Sequence, residues 1–186
     1  MRGALVYAMG PSGAGKDTLL KAARETLEGH GFAFAHRYIT RALVPDDEIF
    51  VPLSHAAFAE RKAAHLFAFD WHARDIGYAI GREIDAWRLA GLTVVVSGSR
   101  AHFAGGAPGL AGAVPVLIEA APAVLAARLA ARGREPAAEI EARLARTAEL
   151  DPEIPGAIRI DNSGALADAI AAFVAALKQI RARTAA

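Results

Sequence analysis

The chain has 186 residues with 21 Lys and Arg against 20 Asp and Glu, so its formal net charge is +1 and no global field draws it to nucleic acid. It contains no cysteine, which excludes disulfides, thiolate catalysis and cysteine-ligated zinc. The hydrophobic fraction of 54% is raised by alanine, a small helix-favouring residue. The apolar runs at 4–9 and 92–96 fall far short of the roughly 20 residues a membrane helix needs. No membrane partner is therefore expected, and with no signal-peptide layout the expected location is cytoplasmic.

Residues 4–9 read as a buried strand, followed by a glycine-rich turn and a helix from about 15 to 30 that Gly29 and Gly31 help to end. Residues 32–38 make a second strand. The stretch 39–80 mixes short strands with a helix around 54–64 and reads as an insertion. A helix at 82–90 closes at Gly91, and two wholly apolar strands follow at 93–96 and 114–118; their lack of alternation fits burial on both faces. Helices come next at about 122–131 and 137–150, then a strand at 157–160 and an amphipathic helix at 166–181. There is no internal repeat and no linker. Alternation of strand and helix predicts one α/β domain, a three-layer sandwich with a central parallel sheet.

One motif carries chemistry directly. Gly10, Pro11, Ser12, Gly13, Ala14, Gly15 and Lys16 spell G-x-x-x-x-G-K between an apolar strand and a helix, the pattern of a phosphate-binding P-loop. A phosphate chain needs backbone N–H groups turned inward. That requires glycines where a Cβ would clash, and a helix N-terminus facing the anion. Lys16 is expected to meet the β and γ phosphates of ATP and to act catalytically. Asp17 follows where Ser or Thr usually ligates Mg²⁺, and Thr18 comes next. One residue turns a side chain by about 100° around a helix, so Asp17 is the better placed metal ligand. The strand at 93–96 ends in Ser97, Gly98 and Ser99 with no carboxylate to do that work.

The loop and helix start at 10–20 (GPSGAGKDTLL) resemble those of the guanylate kinase superfamily, and Asp after the lysine is typical of one branch, ribose 1,5-bisphosphate phosphokinase. The resemblance runs through 37–41 (RYITR), Glu48, 54–58, Trp71 with Tyr78, 83–87 (EIDAW), 94–100 (VVVSGSR), 125–135 (LAARLAARGRE) and 159–164 (RIDNSG), covering nearly the whole chain. It implies a guanylate kinase-like P-loop fold, with a core at about 1–36, 81–127 and 151–186. An acceptor-binding insertion at about 37–80 and an arginine-rich lid at about 128–150 complete it. It also implies transfer of the ATP γ-phosphoryl group to ribose 1,5-bisphosphate, giving phosphoribosyl diphosphate in a pathway linked to phosphonate breakdown. Departures gather on the acceptor side: Ala42, Asp46, Asp47, Ile49, Phe50, Arg74, Asp75 and Ala79 stand where the family usually has other residues.

Arg128, Arg132 and Arg143 sit at spacings similar to those of the lid arginines of guanylate kinases, and Arg134 adds a fourth. In transfer between two polyanions, such arginines offset the charge spread over the transferred group. Arg37 and Arg41 follow a candidate strand, where open sheets place ligands, and are expected to grip an acceptor phosphate; Glu48, Tyr78 and Arg100 are further acceptor candidates. By resemblance the turn Asp161, Asn162, Ser163 lies near the adenine, with Asn162 or Ser163 also able to cap the last helix. No general base is needed, because an acceptor phosphate has its second pKa near 6. The six histidines show no metal-binding spacing. Two alternatives stay open: a guanylate or other nucleoside monophosphate kinase, and a non-catalytic binding module. The guanine-reading Ser, Glu and Asp pattern is not reproduced, and silent modules generally lose the loop lysine and lid arginines retained here. Oligomeric state is not readable.

Overall fold

The computed structural model describes residues 1–42, 50–73, 75–131 and 153–185. Two sheets organise them. The larger is a five-stranded parallel sheet in the order β2-β7-β1-β8-β9, built from β1 (Leu5–Met9), β2 (Phe32–Phe34), β7 (Thr93–Ser97), β8 (Val114–Glu119) and β9 (Ile158–Asp161). The smaller runs β4-β3-β6-β5 and comprises β3 (Arg37–Ile39), β4 (Phe50–Pro52), β5 (Phe67–Ala73) and β6 (Ile76–Gly81). Here β3 pairs parallel with β4, and β6 pairs antiparallel with both β3 and β5.

The central strand β1 explains why its sequence shows no alternation. Val6 and Ala8 face a core layer formed with Leu19, Leu27, Phe173 and Leu177, which come from α1 (Lys16–Leu27) and α6 (Leu166–Ala185). Leu5, Tyr7 and Met9 face the opposite layer with Ile84 of α3 (Glu83–Leu89) and with Phe69 and Trp71 of β5. Every residue of β1 is buried, as burial on both faces of a parallel strand demands. The second layer therefore packs the smaller sheet against the larger one. The parallel sheet with helices against it is the P-loop α/β arrangement expected from the sequence.

Three local expectations change. The single strand expected at 32–38 is two strands in different sheets: Ala35 N–H still bonds Val95 O at 3.0 Å, and from Arg37 onward the chain pairs with β4 and β6. The first helix stops at Leu27 because Gly29 and Gly31 take positive φ values of 81° and 83°, which only glycine adopts without strain. The last helix runs to Ala185, beyond the expected 181. The helix around 54–64 is α2 (His55–Ala63), capped by Ser54 Oγ accepting from Ala57 N–H at 3.1 Å. A short helix not anticipated, α4 (Arg100–Ala104), follows β7, and a single 3-10 turn at Pro108–Leu110 leads to β8. α5 (Pro122–Ala131) has its expected bounds, whereas the helix expected at 137–150 lies outside the described residues.

Candidate active site

The turn from β1 into α1 forms a cleft lined by Gly10, Pro11, Ser12, Gly13, Gly15, Lys16, Asp17 and Thr18. Its glycines are required by contact as well as by dihedral. A Cβ on Gly10 would run into the carbonyl oxygen of Ile118, and one on Gly15, at φ 84°, into the side-chain amide of Asn162. α1 carries no side-chain N-cap, so its first-turn N–H groups are left available to an anion at the positive end of the helix.

Two residues from distant sequence hold the back of the loop. Asn162, buried at 1% exposure just after β9, donates from Nδ2 to Ala14 O at 2.8 Å. Arg128 on α5 donates to Gly13 O at 3.4 Å and to Asn162 O at 2.9 Å. Tying these carbonyls behind the loop favours the amides facing the cleft. Neither Asn162 nor Ser163 spends its side chain on α6 as the capping expectation had it: Asn162 serves the loop, and Ser163 Oγ accepts from Ala121 N–H at 2.8 Å and donates to Asp161 Oδ1 at 2.5 Å.

At the mouth of the cleft, Lys16 Nζ donates to Asp17 Oδ1 and to Ser97 Oγ, both at 2.6 Å. The Lys16 side chain is 12% exposed and that of Asp17 53%, so the ammonium is sheltered while the carboxylate faces outward. Ser97 ends β7, the strand beside β1, and Ala8 pairs with it across the sheet. This hydroxyl was not recognised as part of the site from sequence. No local signal marks it, because 81 positions separate it from Lys16.

The acceptor candidates are distributed differently. Arg37 on β3 lies with its guanidinium 5.6 Å from the ring centre of Tyr78 on β6, and Tyr78 stacks on Trp71 of β5 at 5.4 Å and 9°. Arg41, just past β3, covers the Phe50 ring at 5.0 Å. Arg100 opens α4, three residues after the end of β7. Asp70 on β5 is engaged by Lys62 Nζ at 2.6 Å. Glu48, Arg132, Arg134 and Arg143 lie outside the described residues. Also missed from sequence is His102, whose ring stacks on Trp71 at 4.9 Å and 20°. Burial lowers its pKa below the ordinary 6.5, opposed by the charge of Asp70, so the imidazole is neutral near pH 7. Burial raises the Tyr7 phenol, leaving it protonated.

No family model matches the chain. A relative from Burkholderia pseudomallei (strain K96243), named ribose 1,5-bisphosphate phosphokinase PhnN, is 50% identical over 175 residues, covering 94% of this chain and 95% of its own. The chain belongs to the ribose 1,5-bisphosphate phosphokinase family. Members of that family from Desulfomicrobium baculatum and Pseudomonas paraeruginosa are 47% and 43% identical. They cover 88% and 98% of this chain and 88% and 99% of their own. The crystal structure of guanylate kinase from Anaplasma phagocytophilum superposes with a TM-score of 0.68 at 12% identity, covering 97% of this chain and 87% of its own, and shows that this family member shares its fold. No helix among the described residues is long and apolar enough to cross a membrane.

Proposed function

We propose that the chain transfers the γ-phosphoryl group of ATP to the 1-phosphate of ribose 1,5-bisphosphate, giving 5-phosphoribosyl 1-diphosphate and ADP. The observation that carries this reading is the sheltered Lys16 ammonium at the mouth of a loop whose carbonyls are tied back by Arg128 and Asn162. That arrangement leaves amides and one cation for a polyphosphate. Membership of a family whose relatives carry that kinase name supplies the acceptor.

The chemistry asks little of the protein beyond positioning. An oxygen of the acceptor's 1-phosphate, ionised near neutral pH, attacks the γ-phosphorus as the bond to the β-bridging oxygen breaks. Lys16 follows the developing charge on the transferred group. Arg128, Arg132 and Arg143 are the arginines that would offset that charge. Arg37 and Arg41 hold the acceptor phosphates, with Glu48, Tyr78 and Arg100 completing that end. The donor set suits a hard divalent cation: Asp17 presents an outward carboxylate beside the loop, so Asp17 would hold Mg²⁺. When bound, that ion would offset negative charge on the nucleotide phosphates. The expected location is the cytoplasm, and no nucleic acid or membrane partner is proposed.

The fold shared with a guanylate kinase raises GMP as a competing acceptor. The sequence argues the other way, since the Ser, Glu and Asp pattern with which guanylate kinases read guanine is not reproduced. Purified protein incubated with ATP, Mg²⁺ and each acceptor separates the two. Phosphoryl transfer to ribose 1,5-bisphosphate is expected, and turnover of GMP with none on the sugar would overturn the proposal.

A further inference from the structure

The two ends of the site are joined by a chain of side chains that begins in the P-loop strand. Tyr7, three residues before Gly10 and fully buried, receives the Ser99 N–H at 3.0 Å and lies 2.9 Å from His102 Nδ1. A Cβ at Gly98 would run into the Tyr7 ring, so the turn after β7 is shaped to admit that ring. The Tyr7 hydroxyl also lies 3.3 Å from Ser99 O, and its hydrogen bond with His102 Nδ1 takes its direction from the imidazole tautomer. The His102 ring then stacks on Trp71, which stacks on its cross-strand partner Tyr78. Tyr78 in turn faces the Arg37 guanidinium. In the strand order β4-β3-β6-β5, Tyr78 lies between the strand of Arg37 and the strand of Trp71, so its ring is flanked from both sides. A planar guanidinium on an aromatic face has a defined orientation that a solvated arginine lacks.

We infer that His102 is a positioning residue for the acceptor end. It is hydrogen-bonded to Tyr7 on the P-loop strand and backs Trp71, so that the Trp71–Tyr78 stack holds Arg37 in the orientation that receives the acceptor phosphate. The inference rests on the reading of Arg37 as a phosphate ligand given under Proposed function. It assigns to α4 a role in aligning the two substrates: the element that follows β7 fixes the acceptor sheet to the strand that leads into the nucleotide loop.

Steady-state kinetics on the intact protein, with ATP, Mg²⁺ and ribose 1,5-bisphosphate, test it. His102→Phe keeps a ring on Trp71 and loses the Nδ1 partner; Tyr7→Phe loses that hydrogen bond from the other side, together with the acceptor of the Ser99 N–H; His102→Asn keeps a polar side chain and loses the ring. Each is expected to raise the acceptor KM about five- to tenfold, with the ATP KM and kcat changed by less than about twofold. The double variant Tyr7→Phe/His102→Phe should be no worse than Tyr7→Phe alone, because the bond that His102→Phe removes is already lost there. An ATP KM that rises with the acceptor KM, or an acceptor KM unmoved in every variant, overturns the inference. Melting curves keep the test independent of folding: if His102→Asn is unstable, the two phenylalanine variants, which keep an aromatic ring at each position, decide. Arg37→Gln separates the two claims. If it leaves the acceptor KM unchanged, the phosphate-ligand reading itself fails; if it raises that KM while the His102 and Tyr7 variants do not, only the positioning role is lost.

Discussion

The proposed nucleotide end and the proposed acceptor end of this molecule are built by opposite means. At the first, eight of the nine residues from Gly10 to Thr18 line one cleft, and what they offer an anion is mostly backbone. The second draws Arg37, Trp71, Tyr78 and His102 from four separate elements and sets side-chain planes against one another. A backbone cradle depends on a few glycines and tolerates little. A stacked assembly spreads its geometry over several rings, so losing one should loosen it without abolishing it.

The sharpest test of the contrast is Lys16→Ala. Its ammonium is the loop's own charge, so turnover should fall by about a hundred- to a thousandfold. Unfolding in urea should shift by no more than about 2 kcal/mol, because the pair with half-exposed Asp17 is worth little and the Ser97 hydroxyl loses one partner. Gly15→Ala comes next. A Cβ at φ 84° and against Asn162 should destabilise the protein by roughly 1–3 kcal/mol in urea unfolding and weaken nucleotide binding in calorimetry. If that variant bound nucleotide normally, the claim that the loop tolerates little would break.

The smallest expected effect is at the acceptor end and depends on pH. Because burial lowers the His102 pKa from 6.5, the unfolded chain takes up a proton at a pH where the folded chain does not. Stability is therefore full above about pH 6.5 and declines as the pH falls through the interval down to the depressed value. Asp70 works against this and reduces its size. The melting temperature from pH 8 to pH 5 should fall more steeply for the native chain than for His102→Phe. Equal slopes would show that the imidazole does not contribute.

The same contrast explains what could be read in advance. The loop was legible because its requirements are local: glycine, lysine and a helix start within a few positions, preceded by a strand whose unbroken apolar run reports burial on both faces. Family membership was legible for a related reason, since motif blocks spread over the whole chain match in type and order. Ser97 escaped notice because its partner is reached across a parallel sheet, and a hydroxyl at a strand end carries no periodic signal. The switch of sheets between Phe34 and Arg37 was hidden because an extended chain looks the same whichever sheet its hydrogen bonds join. His102 was hidden by its helix, α4, which has only five residues and no apolar repeat.

Lys16 and Asp17 are bonded to each other at the mouth of the loop, so the ammonium there is already engaged by its sequence neighbour. Any anion drawn to that ammonium competes with the adjacent carboxylate for it, and the strength of that rivalry is set within two consecutive residues.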